Sequence, residues 1–288
     1  MPQLDQSEAP TTPIFRWAGS KRKLVPLLLE CVPSFGRYIE PFAGSACLFF
    51  ALRPRKAVLG DFNEELMNAY WAVRAHPVEL ARRIWLMPQS TEHYYQLRKQ
   101  TSPFQKVDRA ARFVYLNHFC FNGVYRTDRQ GRFNVPRGTK MGQMPSANTF
   151  ERCASMLRRT VLHTGDFEEC LADIRVNDFV YLDPPYTKPE RRTRGEYGYG
   201  AFGQSDMTRL VTTLQRIDSN KAKFLLSFNH HKQLAEVIQP HWRKRSVVVR
   251  RHVAGFHEHR HSVREILLAN YDIPIPRGAQ HELTHSDR

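Results

Sequence analysis

The chain has no Cys-x-x-Cys pair, and its five cysteines, Cys31, Cys47, Cys120, Cys153 and Cys170, are odd in number and widely scattered. That pattern supports neither a zinc knuckle nor a disulfide framework and fits reduced thiols. No apolar run is long enough to cross a bilayer, and the first residues lack a secretory pattern. There is no internal repeat and no low-complexity linker, which excludes a repeat array. Acidic side chains are scarce: 28 Asp and Glu stand against 43 Lys and Arg, for a formal net charge of +15 and a pI near 9.9. Such an excess predicts a polyanionic partner, because every phosphate neutralised by Lys or Arg also releases counterions. Nucleic acid is therefore the expected partner before any motif is read. What remains is ordinary for a globular protein: 288 residues, 41% hydrophobic and 11% aromatic. That is enough chain to bury a core, as one large domain or a domain with an insertion. A soluble, intracellular protein is expected.

Residues 1–12 are polar with prolines and are predicted to be disordered, and residues 274–288 look similar. Residues 21–31 carry Leu24, Val25, Leu27, Leu28 and Leu29 and suggest a short helix. Residues 37–41 read as a strand running into Phe42-Ala43-Gly44-Ser45, followed by a helix over 46–52. A second strand over 57–60 ends at Asp61, and residues 64–74 are again helical. This β-loop-α-β-acid order is the first half of a nucleotide-binding α/β unit. Residues 79–158 are helix-prone and basic, with turn signals at Asn122-Gly123 and over 128–131 that predict a hairpin or compact loop. Strand-like runs return at 160–163, 179–182, 224–227, 247–249 and 265–271. The simplest account is one α/β domain, residues 13–78 and 159–273, interrupted by a mostly helical insertion over 79–158.

Three stretches carry chemistry. Asp183-Pro184-Pro185-Tyr186 follows the apolar run Phe179-Val180-Tyr181-Leu182, as a buried strand ending in a rigid turn. Both prolines fix φ and the first also restricts Asp183, so a carboxylate, a carbonyl and an aromatic ring are held at a strand's C-terminal edge. Open α/β sheets place ligands at that edge, and the group suits a flat, amino-bearing ring. A surface turn capped by Asp183 is the plainer reading of the same residues. In Glu40-Pro41-Phe42-Ala43-Gly44-Ser45-Ala46, the glycine would let a ligand approach the backbone, and Asp61 would accept both hydroxyls of a ribose. Phe15-Arg16-Trp17-Ala18-Gly19-Ser20-Lys21 fits either a lid over a cofactor or a hydrophobic staple leading into a helix capped by Gly19 or Ser20.

Taken together these residues resemble the DNA adenine methylase (Dam) family, the D12-class or alpha group of S-adenosylmethionine-dependent N6-adenine DNA methyltransferases. The resemblance runs from about Phe15 to Tyr271. It rests on Arg16-Trp17-Ala18-Gly19-Ser20-Lys21, on Glu40-Pro41-Phe42-Ala43-Gly44, and on Asp183–Tyr186. It rests also on Tyr115-Leu116-Asn117 with Phe121-Asn122-Gly123-Val124-Tyr125-Arg126 and Phe133-Asn134-Val135-Pro136. It implies a Rossmann-like α/β sheet with helices on both faces and an inserted, mostly helical DNA-recognition domain carrying a hairpin loop. It implies that Trp17, Lys21, Asp61 and Asp183 contact S-adenosylmethionine. Phe42, Ala43, Gly44 and Ser45 would lie beside its methionine part, and Asp166 and Phe167 near its adenine. Asp183, Pro184 and Tyr186 would hold a target adenine flipped from double-stranded DNA. Hydrogen bonds from the adenine amino group to Asp183 and the Pro184 carbonyl would localise the nitrogen lone pair, and Tyr186 would stack on the base. Asn122, Val124, Arg126, Pro136 and Lys140 fall where the family's DNA-reading hairpin lies. Two contacts suit Arg126: a guanine edge in the major groove, or a phosphate. The implied enzyme is a monomer in a bacterial cytosol or nucleoid, or a phage-borne one.

The chain departs from the family at a few positions. Ala46 stands where many relatives have a second glycine, and Ser20 replaces the second glycine of Trp-Ala-Gly-Gly-Lys. After Pro136 comes Arg137-Gly138-Thr139-Lys140 in place of an aromatic-rich segment, so the GATC target is not implied. His257-Glu258-His259-Arg260-His261 resembles a metal tract, but its alternation suits a strand face or a basic loop, and no metal is expected. Arg191 to Arg194 and Arg243 to Arg245 read as solvated or phosphate-contacting, and 191–203 as a loop over the flipped base or a plain surface loop. Two alternatives stay open: an N4-cytosine methyltransferase, against which Asp183 and Tyr186 argue, and a catalytically silent DNA-binding protein on the same fold.

Overall fold

The computed structural model describes residues 13–100, 105–139, 144–185, 202–229, 238–250 and 262–274. The expectations for residues 1–12 and 275–288, for Lys140 and Tyr186, for the loop from Arg191, and for His257 to His261 lie outside the described residues.

Seven strands form one sheet: β1 Arg37–Glu40, β2 Ala57–Asp61, β3 Thr160–Thr164, β4 Asp178–Leu182, β5 Lys223–Asn229, β6 Arg243–Arg250 and β7 Ser262–Ala269. Their spatial order is β3-β2-β1-β4-β5-β7-β6. The first five are parallel and β7 runs antiparallel between β5 and β6. Successive side chains of a strand face opposite sides, and here both sides are covered. Tyr38, Phe179, Tyr181 and Leu225 join a core with the helices α1 Val25–Cys31, α2 Cys47–Leu52 and α3 Glu64–Ala75. Ile39, Val180, Leu182, Phe224 and Leu226 join a second core with Met207, Leu210, Leu214 and Ile217. Those last four lie on the long helix Gln204–Ser219, which has no counterpart among the elements read from the sequence.

Between β2 and β3 come α3 and then α4 Pro77–Trp85, α5 Thr91–Lys99, α6 Lys106–Phe119 and α7 Ala147–Leu157. After β3 come α8 Phe167–Cys170 and, beyond β4, α9 Gln204–Ser219. The side chains of Asn63, Ser90 and Ser146 each accept an N–H from the first turn of α3, α5 and α7, which satisfies an otherwise orphaned donor. Residues of α4 to α7 share one core with those of the sheet. The Phe15 ring lies 4.7 Å from Tyr70 of α3 and 5.7 Å from Phe113 of α6. Buried Asn117 of α6 grips the main chain of Arg16 from both sides, accepting its N–H at 2.9 Å and donating to its carbonyl at 2.6 Å.

One local reading changes. Neither Gly19 nor Ser20 caps a helix; a 3-10 turn Arg22–Leu24 leads into α1 with no side-chain cap, and Pro26 sets its first turn. The Ser20 hydroxyl instead lies 3.0 Å from Cys47 Sγ. The hairpin or compact loop expected from the turn signals is a short one: the antiparallel bridge Thr127 to Phe133 pins residues 126–134, and the Asn134 N–H donates to the Arg126 carbonyl at 3.1 Å. The Asp128 carboxylate closes the tip by accepting the N–H groups of Gln130 and Arg132.

Candidate active site

The strand order reverses between β1 and β4, whose neighbours on the outer sides are β2 and β5. Loops leaving the carboxyl ends of two such strands diverge to opposite faces and open a crevice. β1 ends at Glu40 and β4 at Leu182, so the loops beginning at Pro41 and Asp183 face one another across it. The crevice is a cleft of about 380 Å³, within the roughly 300–1,000 Å³ usual for small-molecule sites.

One wall is the loop after β1. Gly44 has φ +47°, and a Cβ there would stand 2.7 Å from Cδ1 of Trp17. Backbone and indole are packed without space between them, so a larger residue is excluded. The Gly44 N–H donates to Asp61 Oδ2 at 2.9 Å, and its carbonyl accepts the Tyr70 hydroxyl at 2.7 Å. Asp61 Oδ1 accepts the Asn63 N–H at 2.9 Å. Burial raises the Asp61 pKa above the usual carboxylate value, against these two N–H donors. Ala46 adopts φ 49° as it enters α2, the left-handed region that favours glycine. The alanine therefore meets a conformational demand that a glycine would meet without strain.

The opposite wall begins at Asp183. Its Oδ1 lies 2.5 Å from Lys21 Nζ, and the same ammonium lies 3.0 Å from Glu265 Oε1 on β7. Glu40 sits beneath, accepting the Tyr38 hydroxyl at 2.9 Å. Its pKa stands well above the carboxylate range, first through burial, with the charges of Asp183 and Asp61 adding to the shift.

The far end is aromatic. Phe42 and Phe167 have centroids 5.2 Å apart, and Phe202 closes the group at 5.9 Å from Phe42. Asp166 caps α8 by accepting the Glu168 N–H at 2.9 Å. Arg209 of α9 reaches it at 2.5 Å, bonds Glu168 as well, and lies 4.8 Å above the Phe167 ring.

Trp17, Lys21, Phe42, Ala43, Gly44, Ser45, Asp61, Asp166, Phe167, Asp183 and Pro184 thus line one cleft. Asn122, Val124, Arg126 and Pro136 do not; they lie on the loop after α6. The two regions meet at Trp17, whose indole stacks on Tyr125 with centroids 5.9 Å apart. Asn122 takes φ 54°, and Arg126 Nε donates to Asn134 Oδ1 at 2.7 Å. Sequence reasoning missed Phe62, Phe202 and Arg209 as lining residues, and Glu265 beneath Lys21. Phe62 carried a signal, a large apolar residue directly after a strand-ending acid, and it is 67% exposed. Arg209 carried none, because only the fold brings it 43 positions back to Asp166.

Residues 17–252 match the family model of the D12 class N6 adenine-specific DNA methyltransferase. The chain is 31% identical over 280 residues to the type II methyltransferase M1.LlaDCHI of Lactococcus lactis subsp. cremoris, covering 93% of this chain and 98% of the relative. It is 28% identical over 286 residues to the type II methyltransferase M.MjaIII of Methanocaldococcus jannaschii, covering 90% and 99%. It is 29% identical over 260 residues to the DNA adenine methylase of Salmonella typhi, covering 88% and 92%.

Proposed function

This chain belongs to the D12 class of N6 adenine-specific DNA methyltransferases, and we propose that its cleft binds S-adenosylmethionine next to an adenine flipped out of double-stranded DNA. The observation that carries the reading is the meeting of Asp183 with the Gly44–Asp61 loop in one cleft at the strand-order reversal.

The lining fits that cofactor along its length. The Phe42–Ser45 loop lies along the cleft where an amino-acid moiety would sit, the Asp61 oxygens retain lone pairs for ribose hydroxyls, and the slot of Phe42, Phe167 and Phe202 takes a flat base with Asp166 as an acceptor. When bound, S-adenosylmethionine supplies an electrophilic methyl group. The protein's part is to make the adenine nitrogen a nucleophile. Asp183 and the Pro184 carbonyl accept the two amino hydrogens, which favours a tetrahedral nitrogen with a localised lone pair. Tyr186, directly after this turn, stacks on the flipped base. Fixing the base at the cleft mouth also supplies the orientation that an in-line displacement needs.

Residues 79–158 form the target-recognition insertion in this reading, with Asn122, Val124, Arg126, Pro136 and Lys140 meeting DNA. The net charge of +15 supports duplex binding. The enzyme acts as a monomer in the cytoplasm. The deciding test is Asp183→Ala assayed with labelled S-adenosylmethionine and duplex DNA. Methyl transfer should vanish while DNA affinity stays near that of the parent; full activity in this variant refutes the reading. Expression in a methylation-free host, with single-molecule sequencing of the genome, reads out the modified adenines and their sequence context.

A further inference from the structure

We propose that Glu265 is a positioning residue for methyl transfer, acting through Lys21 to set the orientation and effective charge of Asp183. The proposal rests on the reading of Asp183 as the acceptor of the target amino group.

Glu265 lies on β7, opposite Asn229 of β5 and diagonal to Ser227. It is 1% exposed and is followed by the apolar run Ile266, Leu267, Leu268 and Ala269. A carboxylate in such a strand is unfavourable unless it is paired, and an apolar residue of similar size would hold the sheet together as well or better. The partners are specific: Glu265 Oε1 accepts the Ser227 hydroxyl at 3.0 Å and stands 3.0 Å from Lys21 Nζ. The same ammonium is 2.5 Å from Asp183 Oδ1.

Two consequences follow for the reacting nitrogen. A lysine on its four-carbon stem is a flexible point charge; tied at Glu265 to the sheet, it becomes a fixed post against which one oxygen of Asp183 is held. The second is electrostatic. A Lys21–Asp183 pair alone is neutral, and its ammonium competes with the adenine amino group for the carboxylate. A second carboxylate leaves the trio net negative, where the attacking nitrogen becomes positively charged as it takes the methyl group.

The test compares single-turnover methyl transfer, at saturating S-adenosylmethionine and duplex DNA, in Glu265→Gln, Glu265→Ala, Lys21→Ala and the Lys21→Ala/Glu265→Gln double variant. Glu265→Gln keeps the shape and the hydrogen bonds but removes the charge, and should lose about tenfold in rate; Glu265→Ala should lose on the order of 10²-fold. Affinities for DNA and cofactor in Glu265→Gln should stay within about threefold, a split that simple loss of folding would not produce. In the Lys21→Ala background the Glu265→Gln loss should shrink below about twofold, because its intermediary is gone. A parental rate in Glu265→Gln, or the same loss in both backgrounds, overturns the proposal. If neither Glu265 variant folds by circular dichroism, Ser227→Ala takes their place, with about threefold loss expected and none overturning. Asp183→Ala is measured alongside. If it is fully active, the reading of Asp183 falls first; if it is dead while Glu265→Gln is unimpaired, only the role of Glu265 falls.

Discussion

The main-chain N–H of Gly44 donates to Oδ2 of Asp61 at 2.9 Å, so the acid that ends β2 shapes the loop that follows β1. With Oδ1 accepting the Asn63 N–H, Asp61 holds the loop after β1 and the start of α3 in one grip. Asp61→Ala should therefore weaken S-adenosylmethionine binding by more than a lost ribose contact, on the order of 10²-fold by isothermal titration. It should also lower stability by about 1–3 kcal/mol, since two part-buried N–H groups lose their acceptor. Unchanged stability would mean that Asp61 does not shape the loop.

The two small residues of that loop make opposite predictions. Gly44→Ala places a methyl group 2.7 Å from the Trp17 ring at a φ of +47° and should destabilise the fold by about 2–4 kcal/mol, with loss of cofactor binding. Ala46→Gly relieves a left-handed alanine, worth about 1–2 kcal/mol, but removes a buried methyl group worth about 0.8 kcal/mol. The net change should stay within about 1 kcal/mol of zero, with methyl transfer retained. Loss of activity in Ala46→Gly, measured beside its thermal melt, would show that the alanine itself serves the reaction.

The strands around the cleft were legible because each is a short apolar run stopped by a polar or rigid residue: Glu40 with Pro41, Asp61, and Asp183 with Pro184. The ligand-facing loops followed from these ends. The long helix α9 was not read, since Gln204 to Ser219 mixes Thr, Ser and Asp with a narrow apolar stripe. Arg209 was hidden with it. Glu265 lay inside a segment read as a strand, and its partner Lys21 is 244 positions away, so neither periodicity nor motif could join them. The αL strain at Ala46 was visible only as a departure from glycine, which states that a position is unusual without stating the dihedral angle that makes it so.

Arg126 and Asn134 offer a test of the proposed role of residues 79–158 in reading DNA. Asn134 accepts Arg126 Nε at 2.7 Å, and the Asn134 N–H donates to the Arg126 carbonyl at 3.1 Å, which anchors the base of the guanidinium fork to the loop. If that fork meets a guanine edge, Asn134→Ala should reduce discrimination between the true site and single-base variants by about tenfold, within the roughly 1–3 kcal/mol of a bidentate base contact. Affinity for unrelated DNA should hardly change. If Arg126 meets a phosphate instead, Arg126→Ala should weaken all sequences alike and lower the salt slope by about 1. Methylation rates on a site library, measured at several salt concentrations, separate the two.

Glu40 provides a prediction of the opposite sign from the usual carboxylate. Its carboxyl is buried at the end of β1, and burial raises its pKa well above the ordinary range in spite of the Tyr38 hydroxyl. Because the folded-state pKa exceeds that of the unfolded chain, the folded protein binds more protons between the two values. The stabilising contribution is complete below the unfolded-state pKa, near about 4.3, and is lost as pH rises toward the folded value, at about 1.4 kcal/mol per pH unit while the proton difference is a full one. Glu40→Gln removes the titration and keeps an acceptor for Tyr38. Its melting temperature relative to the parent should therefore climb as pH rises from 4 to 8. A difference that stays flat, or that falls with pH, would mean that Glu40 folds as a carboxylate.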